Sequence, residues 1–221
     1  MSHSSIMPMM VNGVRMYVYG AEGGKIAAVS AEPANAGELL WTWSGLGKQV
    51  FVPSPVSLGE GRVFLTSLYG AGSAVIDASS LDSNRAAKTI ALFPVGRSLA
   101  CDLHTPVYYE GLLFGVQSGD AGTTRNQFVC MNPSDGGAIV WKSGPERRFS
   151  PFGPFLMADG KFILLDAEGI LTLVKASRTN YEELARFKLS DWRESRAPMA
   201  IAGGRLLLRD ERRLVCLDLR D

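Results

Sequence analysis

An all-β fold, a β-propeller of four-stranded antiparallel blades with about five blades present, is what this sequence predicts. Three observations predict it. A proline-to-glycine unit recurs five times, each unit is followed by two short apolar runs, and no segment sustains a helical period.

The units open at Met7-Pro8-Met9-Met10-Val11-Asn12-Gly13, Ser54-Pro55-Val56-Ser57-Leu58-Gly59, Thr105-Pro106-Val107-Tyr108-Tyr109-Glu110-Gly111, Gly153-Pro154 through Asp159-Gly160, and Ala197-Pro198 through Ala202-Gly203. Successive prolines stand 47, 51, 48 and 44 residues apart. That period suits a four-stranded blade whose length varies in its loops. Proline is tolerated at the first residue of a strand, where its missing N–H costs no ladder hydrogen bond. The glycine that follows supplies hairpin chemistry. Asn12-Gly13 is the clearest case, since both central residues of a type I′ turn need positive φ.

The second strands are predicted at Arg15–Tyr19, Arg62–Thr66, Leu112–Val116, Lys161–Leu165 and Arg205–Leu208. The third strands follow at Lys25–Val29, Ser73–Asp77, Gln127–Met131, Leu171–Val174 and Leu214–Leu217. Continuous apolar runs of this length are expected to be buried on both faces, as stacking of blades requires. Fourth strands are read at Glu38–Trp43, Ala138–Lys142 and Glu183–Phe187. Trp41 and Trp141 stand four residues after Gly37 and Gly137, and each is expected at the outer rim with one edge in water. The chain is then a single partial propeller with blades over 8–46, 54–95, 105–144, 153–190 and 197–219. The last blade stops after its third strand, so further blades, a partner or a second copy is expected to complete the ring.

Composition narrows the function classes. Hydrophobic residues make up 46% and charged residues 20%, a globular balance. Twenty-three basic and 22 acidic residues give a net charge of +1, which excludes an electrostatic grip on nucleic acid. No run approaches the roughly 20 apolar residues of a transmembrane helix. The segment Met1–Met7 has neither a charged start nor an apolar stretch and is not expected to be a signal peptide, so the expectation is either a cytoplasmic protein or one whose export signal lies upstream of this sequence. The cysteines, Cys101, Cys130 and Cys216, are odd in number and far apart. Cys130 and Cys216 sit in apolar runs and are read as small buried hydrophobes.

The phrase Gly20 to Ala31, followed by Gly37-Glu38-Leu39-Leu40-Trp41, resembles the repeat of quinoprotein-type, PQQ-like β-propeller proteins. Asp135-Gly136-Gly137-Ala138-Ile139-Val140-Trp141 repeats the same ending. The resemblance runs from about Pro8 to Leu219 and extends to outer-membrane assembly propeller lipoproteins. It implies a full ring of about eight blades and a setting in the periplasm or at the cell surface. For the dehydrogenases of the family it implies a quinone, PQQ, on a calcium ion held by Glu and Asn, with a catalytic Asp and, in several, a vicinal cysteine pair. This chain has no adjacent cysteines, and no Glu, Asn and Asp are brought together by a motif. No catalytic, cofactor-binding or metal-ligating residue is therefore assigned. Gly119-Asp120-Ala121-Gly122 and Asp135-Gly136-Gly137 lack the alternating carboxylates of a calcium loop and read as turns.

Candidate ligand contacts lie where the chain enters each innermost strand, at the mouth of the channel. They are Ser54, His104, Thr105, Arg148 and Arg196. His104 titrates near neutrality and is suited to acid, base or ligand roles. Arg147, Arg148 and Arg196 would form a basic rim for an anionic ligand. The function expected is a non-catalytic binding or scaffold module that presents loops to a protein or glycan partner. The alternative is a PQQ- and calcium-dependent dehydrogenase, or a fragment of one.

Overall fold

A computed structural model describes residues 2–21, 23–47 and 50–220; Met1 and Glu22, the latter within the Gly20–Ala31 phrase, lie outside the described residues. Five antiparallel sheets follow one another along the chain, and in each the strands are ordered as they occur in sequence. The first sheet holds β1 (Met7–Val11), β2 (Val14–Ala21), β3 (Lys25–Ser30) and β4 (Leu39–Ser44). The second holds β5 (Val56–Gly59), β6 (Arg62–Ser67), β7 (Gly72–Leu81) and β8 (Ala87–Phe93). The third holds β9 (Val107–Tyr109), β10 (Leu112–Val116), β11 (Phe128–Asn132) and β12 (Ala138–Lys142). The fourth holds β13 (Phe155–Ala158), β14 (Lys161–Leu165), β15 (Ile170–Lys175) and β16 (Glu183–Lys188). The fifth has three strands, β17 (Ala200–Ala202), β18 (Arg205–Arg209) and β19 (Leu214–Asp218).

The repeat is visible in backbone detail. All five first hairpins place both central residues at positive φ: Asn12 and Gly13, Glu60 and Gly61, Glu110 and Gly111, Asp159 and Gly160, Gly203 and Gly204. This is type I′ geometry, whose twist matches that of the flanking strands. In the second unit the turn falls at Glu60-Gly61, past the expected Gly59, because a bulge between Ser57 and Gly59 takes up one residue. A second irregularity recurs between third and fourth strands, at Ala28/Val29, Val75/Ile76, Cys130/Met131 and Leu173/Val174. A bulge bends its strand and raises local twist. Its repetition at one register position marks the four sheets as copies of one design.

Sheets stack through four apolar seams, each shared by consecutive blades. Met9, Val18, Ile26, Trp41 and Trp43 of the first blade meet Val63, Leu65 and Ile76 of the second. Phe64, Val75 and Phe93 meet Leu113, Val129 and Met131. Phe114, Phe128 and Trp141 meet Phe162, Leu164 and Val174. Leu165, Leu171 and Leu189 meet Leu206 and Leu208. Each fully buried large side chain contributes on the order of 1.5–3 kcal/mol to its seam. Among the described residues no such cluster joins the fifth blade to the first, so the blades form an open arc.

The expectation that every second and third strand is buried on both faces holds only inside the arc. β10 is buried throughout, and β6 nearly so. At the ends burial alternates: β2 exposes Tyr17 between Met16 and Val18, and β18 exposes Leu207 between Leu206 and Leu208. A terminal blade has one neighbour, so only one face of its pleat is covered. Cys216 is corrected for the same reason. It lies on the outward face of β19 and is exposed, whereas Cys101 and Cys130 are buried. Burial pushes the Cys130 thiol up to about 12 and the Cys101 thiol up as well, which keeps both protonated and unreactive.

The rim tryptophans also differ from expectation. Trp41 and Trp141 are almost wholly buried, and their indole N–H groups find partners inside the protein. Trp141 Nε1 donates to the Ser177 carbonyl at 2.9 Å, and Trp43 Nε1 donates to Thr89 Oγ1 at 2.9 Å. In both cases the partner belongs to the next blade, so the fourth strand of one blade is covered by the next.

Candidate functional site

The entrances to the innermost strands are linked blade to blade. Ser5 N donates to Ser54 Oγ at 2.9 Å, and Ser54 N donates to Thr105 Oγ1 at 2.9 Å. These hydroxyls accept from main-chain N–H groups that would otherwise be orphaned where the chain turns inward. Ser54 is buried. His104, next to Thr105 in the chain, stands edge-on to Phe155 at 5.9 Å between ring centroids. Burial pushes its pKa down, and hydrogen bonding to the Phe152 backbone opposes that only in part. His104 is thus a neutral, packed imidazole. Ser54 and Thr105 thus tie blades together through their hydroxyls, while His104 packs on Phe155 with its Nε2 buried and without a partner among the described residues.

Arg148 and Arg196 are brought together. They line a hollow of about 650 Å³ at the mouth, with Tyr69, Asp102, Asp120, Arg125 and Phe152. Arg148 is positioned by main chain, and Arg196 by side chains. Arg148 Nη1 donates to the Arg125 carbonyl at 2.6 Å and its Nε to the Pro145 carbonyl at 3.0 Å. The fork is held by these two bonds. Arg196 lies over the Phe152 ring, 5.1 Å from its centroid, and pairs with Glu194 at 3.1 Å. Asp102 is buried, and its Oδ2 accepts from Gly119 N at 3.0 Å. Arg147 turns away to Glu183, at 3.1 Å, so the rim is built from Arg125, Arg148 and Arg196 instead of the Arg147–Arg148 pair.

Tyr69 is among the residues that sequence reasoning missed. It has φ of 58° and is 70% exposed. A bulky non-glycine residue rarely adopts the left-handed region, and such strain gathers at ligand sites. The signal in the sequence is only Tyr69-Gly70, an ordinary turn pair. Asp102 and Arg125 were missed because the hollow draws on loops of several blades, which no local spacing relates.

Chemically, the hollow offers planar guanidinium donors, an exposed phenol ring and two carboxylates. Guanidinium forks match carboxylate or phosphate oxygens, and an exposed aromatic ring offers a flat apolar contact. Among the described residues no group of three or more His, Cys, Asp or Glu side chains converges to hold a metal ion. No helix of the described residues is long and apolar enough to cross a membrane.

No family model and no curated relative matches the chain. Solved structures do resemble it. A chain in the crystal structure of the mitotic checkpoint complex aligns over 97% of this chain and 64% of its own length, at a TM-score of 0.59 and 15% identity. A chain in the structure of S. cerevisiae Dbp5 bound to Nup159 and Gle1 aligns over 94% and 52%, at a TM-score of 0.57 and 10% identity. BamB from Moraxella catarrhalis aligns over 95% and 67%, at a TM-score of 0.46 and 12% identity. This chain therefore spans about half to two thirds of the chains it resembles. At such identities the likeness speaks for fold alone. Together with the five antiparallel sheets, it establishes that the chain has the β-propeller fold.

Proposed function

We propose that the chain is a non-catalytic binding module that presents the mouth of its propeller arc to a protein or glycan partner carrying anionic groups. The observation that supports this most is the hollow in which Arg125, Arg148 and Arg196 surround an exposed, strained Tyr69. Rigid blades hold these loop residues in place, so little ordering entropy opposes binding. A setting in the periplasm or at the cell surface goes with the quinoprotein-type resemblance and is part of this proposal.

Arrays of anionic glycans and acidic peptides, probed with the wild-type chain and with Tyr69→Ala/Arg148→Ala, test it. The double variant is expected to lose about tenfold or more in affinity, since contact aromatics and arginines dominate interfaces. Both residues are exposed, so folding is retained. Dye-linked oxidation of alcohols or sugars after addition of PQQ and calcium would instead establish a dehydrogenase. Equal binding by both proteins would remove the mouth from the account.

A further inference from the structure

The hollow at the mouth carries a second kind of group besides its arginines. Asp102 lines it and is only 8% exposed. Its Oδ2 accepts from Gly119 N at 3.0 Å, while its Oδ1 is buried with no hydrogen-bond partner among the described residues. Asn126 lines the same hollow, and its Oδ1 is buried and unpartnered in the same way. Buried polar atoms are nearly always hydrogen-bonded, and leaving one unpaired is costly. The neighbouring arginines do not meet the need: Arg148 is bonded to main-chain carbonyls and Arg196 to Glu194. Two acceptor oxygens at one hollow thus call for donors from outside the described residues.

The hollow therefore asks opposite things of one ligand. Arg148 and Arg196 call for anionic oxygens, which match a guanidinium fork. Asp102 and Asn126 call for O–H or N–H donors. Tyr69, exposed and held at φ of 58°, adds a flat apolar face. An acidic peptide meets the first demand with its side chains, but it sets further carboxylates against Asp102. A uronic acid meets all three on one ring: a carboxylate, neighbouring hydroxyls, and a C–H face that stacks on tyrosine. The volume of about 650 Å³ lies within the range of small-ligand pockets.

We propose, resting on the reading of the mouth as an anion-binding surface, that its ligand is a glycan containing uronic acid, with Asp102 and Asn126 accepting from its hydroxyl groups. The hydroxyls reach the two oxygens directly or through one ordered water. The arginines then supply affinity for charge, and the two oxygens decide for a sugar over another anion. Against an anion without hydroxyls, Asp102 is a repulsive element, which is how a site rejects the wrong partner.

Isothermal titration calorimetry with the full chain compares a galacturonate trimer, the matching neutral galactose trimer and a tri-aspartate peptide. The galacturonate trimer is expected to bind most tightly. Asp102→Asn keeps a carbonyl oxygen for Gly119 N, and Asn126→Gly suits the φ of 62° at that position, so both variants fold. Asn126→Gly should weaken galacturonate binding about tenfold, the worth of one hydrogen bond in a buried site. Asp102→Asn should weaken it too, through the lost acceptor, yet tighten tri-aspartate binding, because a repulsive charge beside the arginines is gone. Tri-aspartate binding as tight as galacturonate binding, with Asp102→Asn tightening both, would overturn the glycan assignment and leave the anion-binding mouth standing. Equal binding of the neutral trimer, or unchanged galacturonate affinity in both variants, would overturn the assignment as well. Binding of neither acidic ligand up to about 1 mM would remove the mouth itself as a binding surface.

Discussion

Replacing Phe128 by alanine is expected to remove about 3–5 kcal/mol of stability, the range for a fully buried phenylalanine. Phe128 starts β11 and has no exposed surface. Its ring meets Phe162 at 5.1 Å, Trp141 at 5.8 Å, Phe155 at 5.9 Å and Phe149 at 6.2 Å. Two of these, Phe155 and Phe162, lie on the fourth blade, so the ring fills the seam between blades. Edge-on and tilted aromatic pairs add about 0.5–1.5 kcal/mol each beyond area burial, which places the expected loss toward the upper end. Phe128→Leu keeps most of the volume and should cost less than about 1.5–2 kcal/mol. Phe187→Ala, on a largely exposed ring, should stay within about 0.5 kcal/mol of wild type. Urea unfolding of the three variants gives the comparison. A loss below about 1.5 kcal/mol for Phe128→Ala would contradict the packed seam.

Gly72→Ala is the second large effect. Gly72 begins β7 with φ of 80°, and a Cβ there would meet the Phe93 carbonyl oxygen at 2.2 Å. The left-handed conformation alone costs an alanine about 1–2 kcal/mol. Overlap with main chain that is itself hydrogen-bonded adds to this, and about 3 kcal/mol or more is expected in total. Gly13→Ala is the control. Gly13 has nearly the same φ, 78°, but nothing lies within 4 Å of its Cβ position. It should therefore show the conformational cost alone, about 1 kcal/mol. Equal losses at the two positions would mean that β7 and β8 do not meet as described.

The fold was legible because the repeat writes it five times. Each proline marks a strand start, and each turn pair marks a type I′ hairpin, even where Glu60 or Glu110 stands in place of asparagine. β8 was not legible. Ala87–Phe93 lacks the glycine-to-tryptophan spacing of β4 and β12, and it is half exposed because it lies on the rim. Burial at the ends of the arc was misjudged because an apolar run such as Leu214–Leu217 reads alike whether one or two blades cover it. At the mouth, two of the residues the sequence pointed to, Arg148 and Arg196, line one hollow. The sequence also pointed to Ser54 and Thr105, whose hydroxyls accept bonds that join blades, and to His104, which packs on Phe155 of the next blade. Sequence spacing finds the place of a residue in the repeat. It does not tell whether its side chain turns to the hollow or to the next blade.

Native-state amide hydrogen exchange tests the open arc of stacked blades most directly. Exchange is slowest where strands are covered by neighbours on both faces. The account predicts the strongest protection in β6, β10, β11 and β14, and the weakest in β19, with its open edge and its single neighbouring blade. Protection in β19 equal to that in β10, or uniform protection along all five sheets, would contradict it.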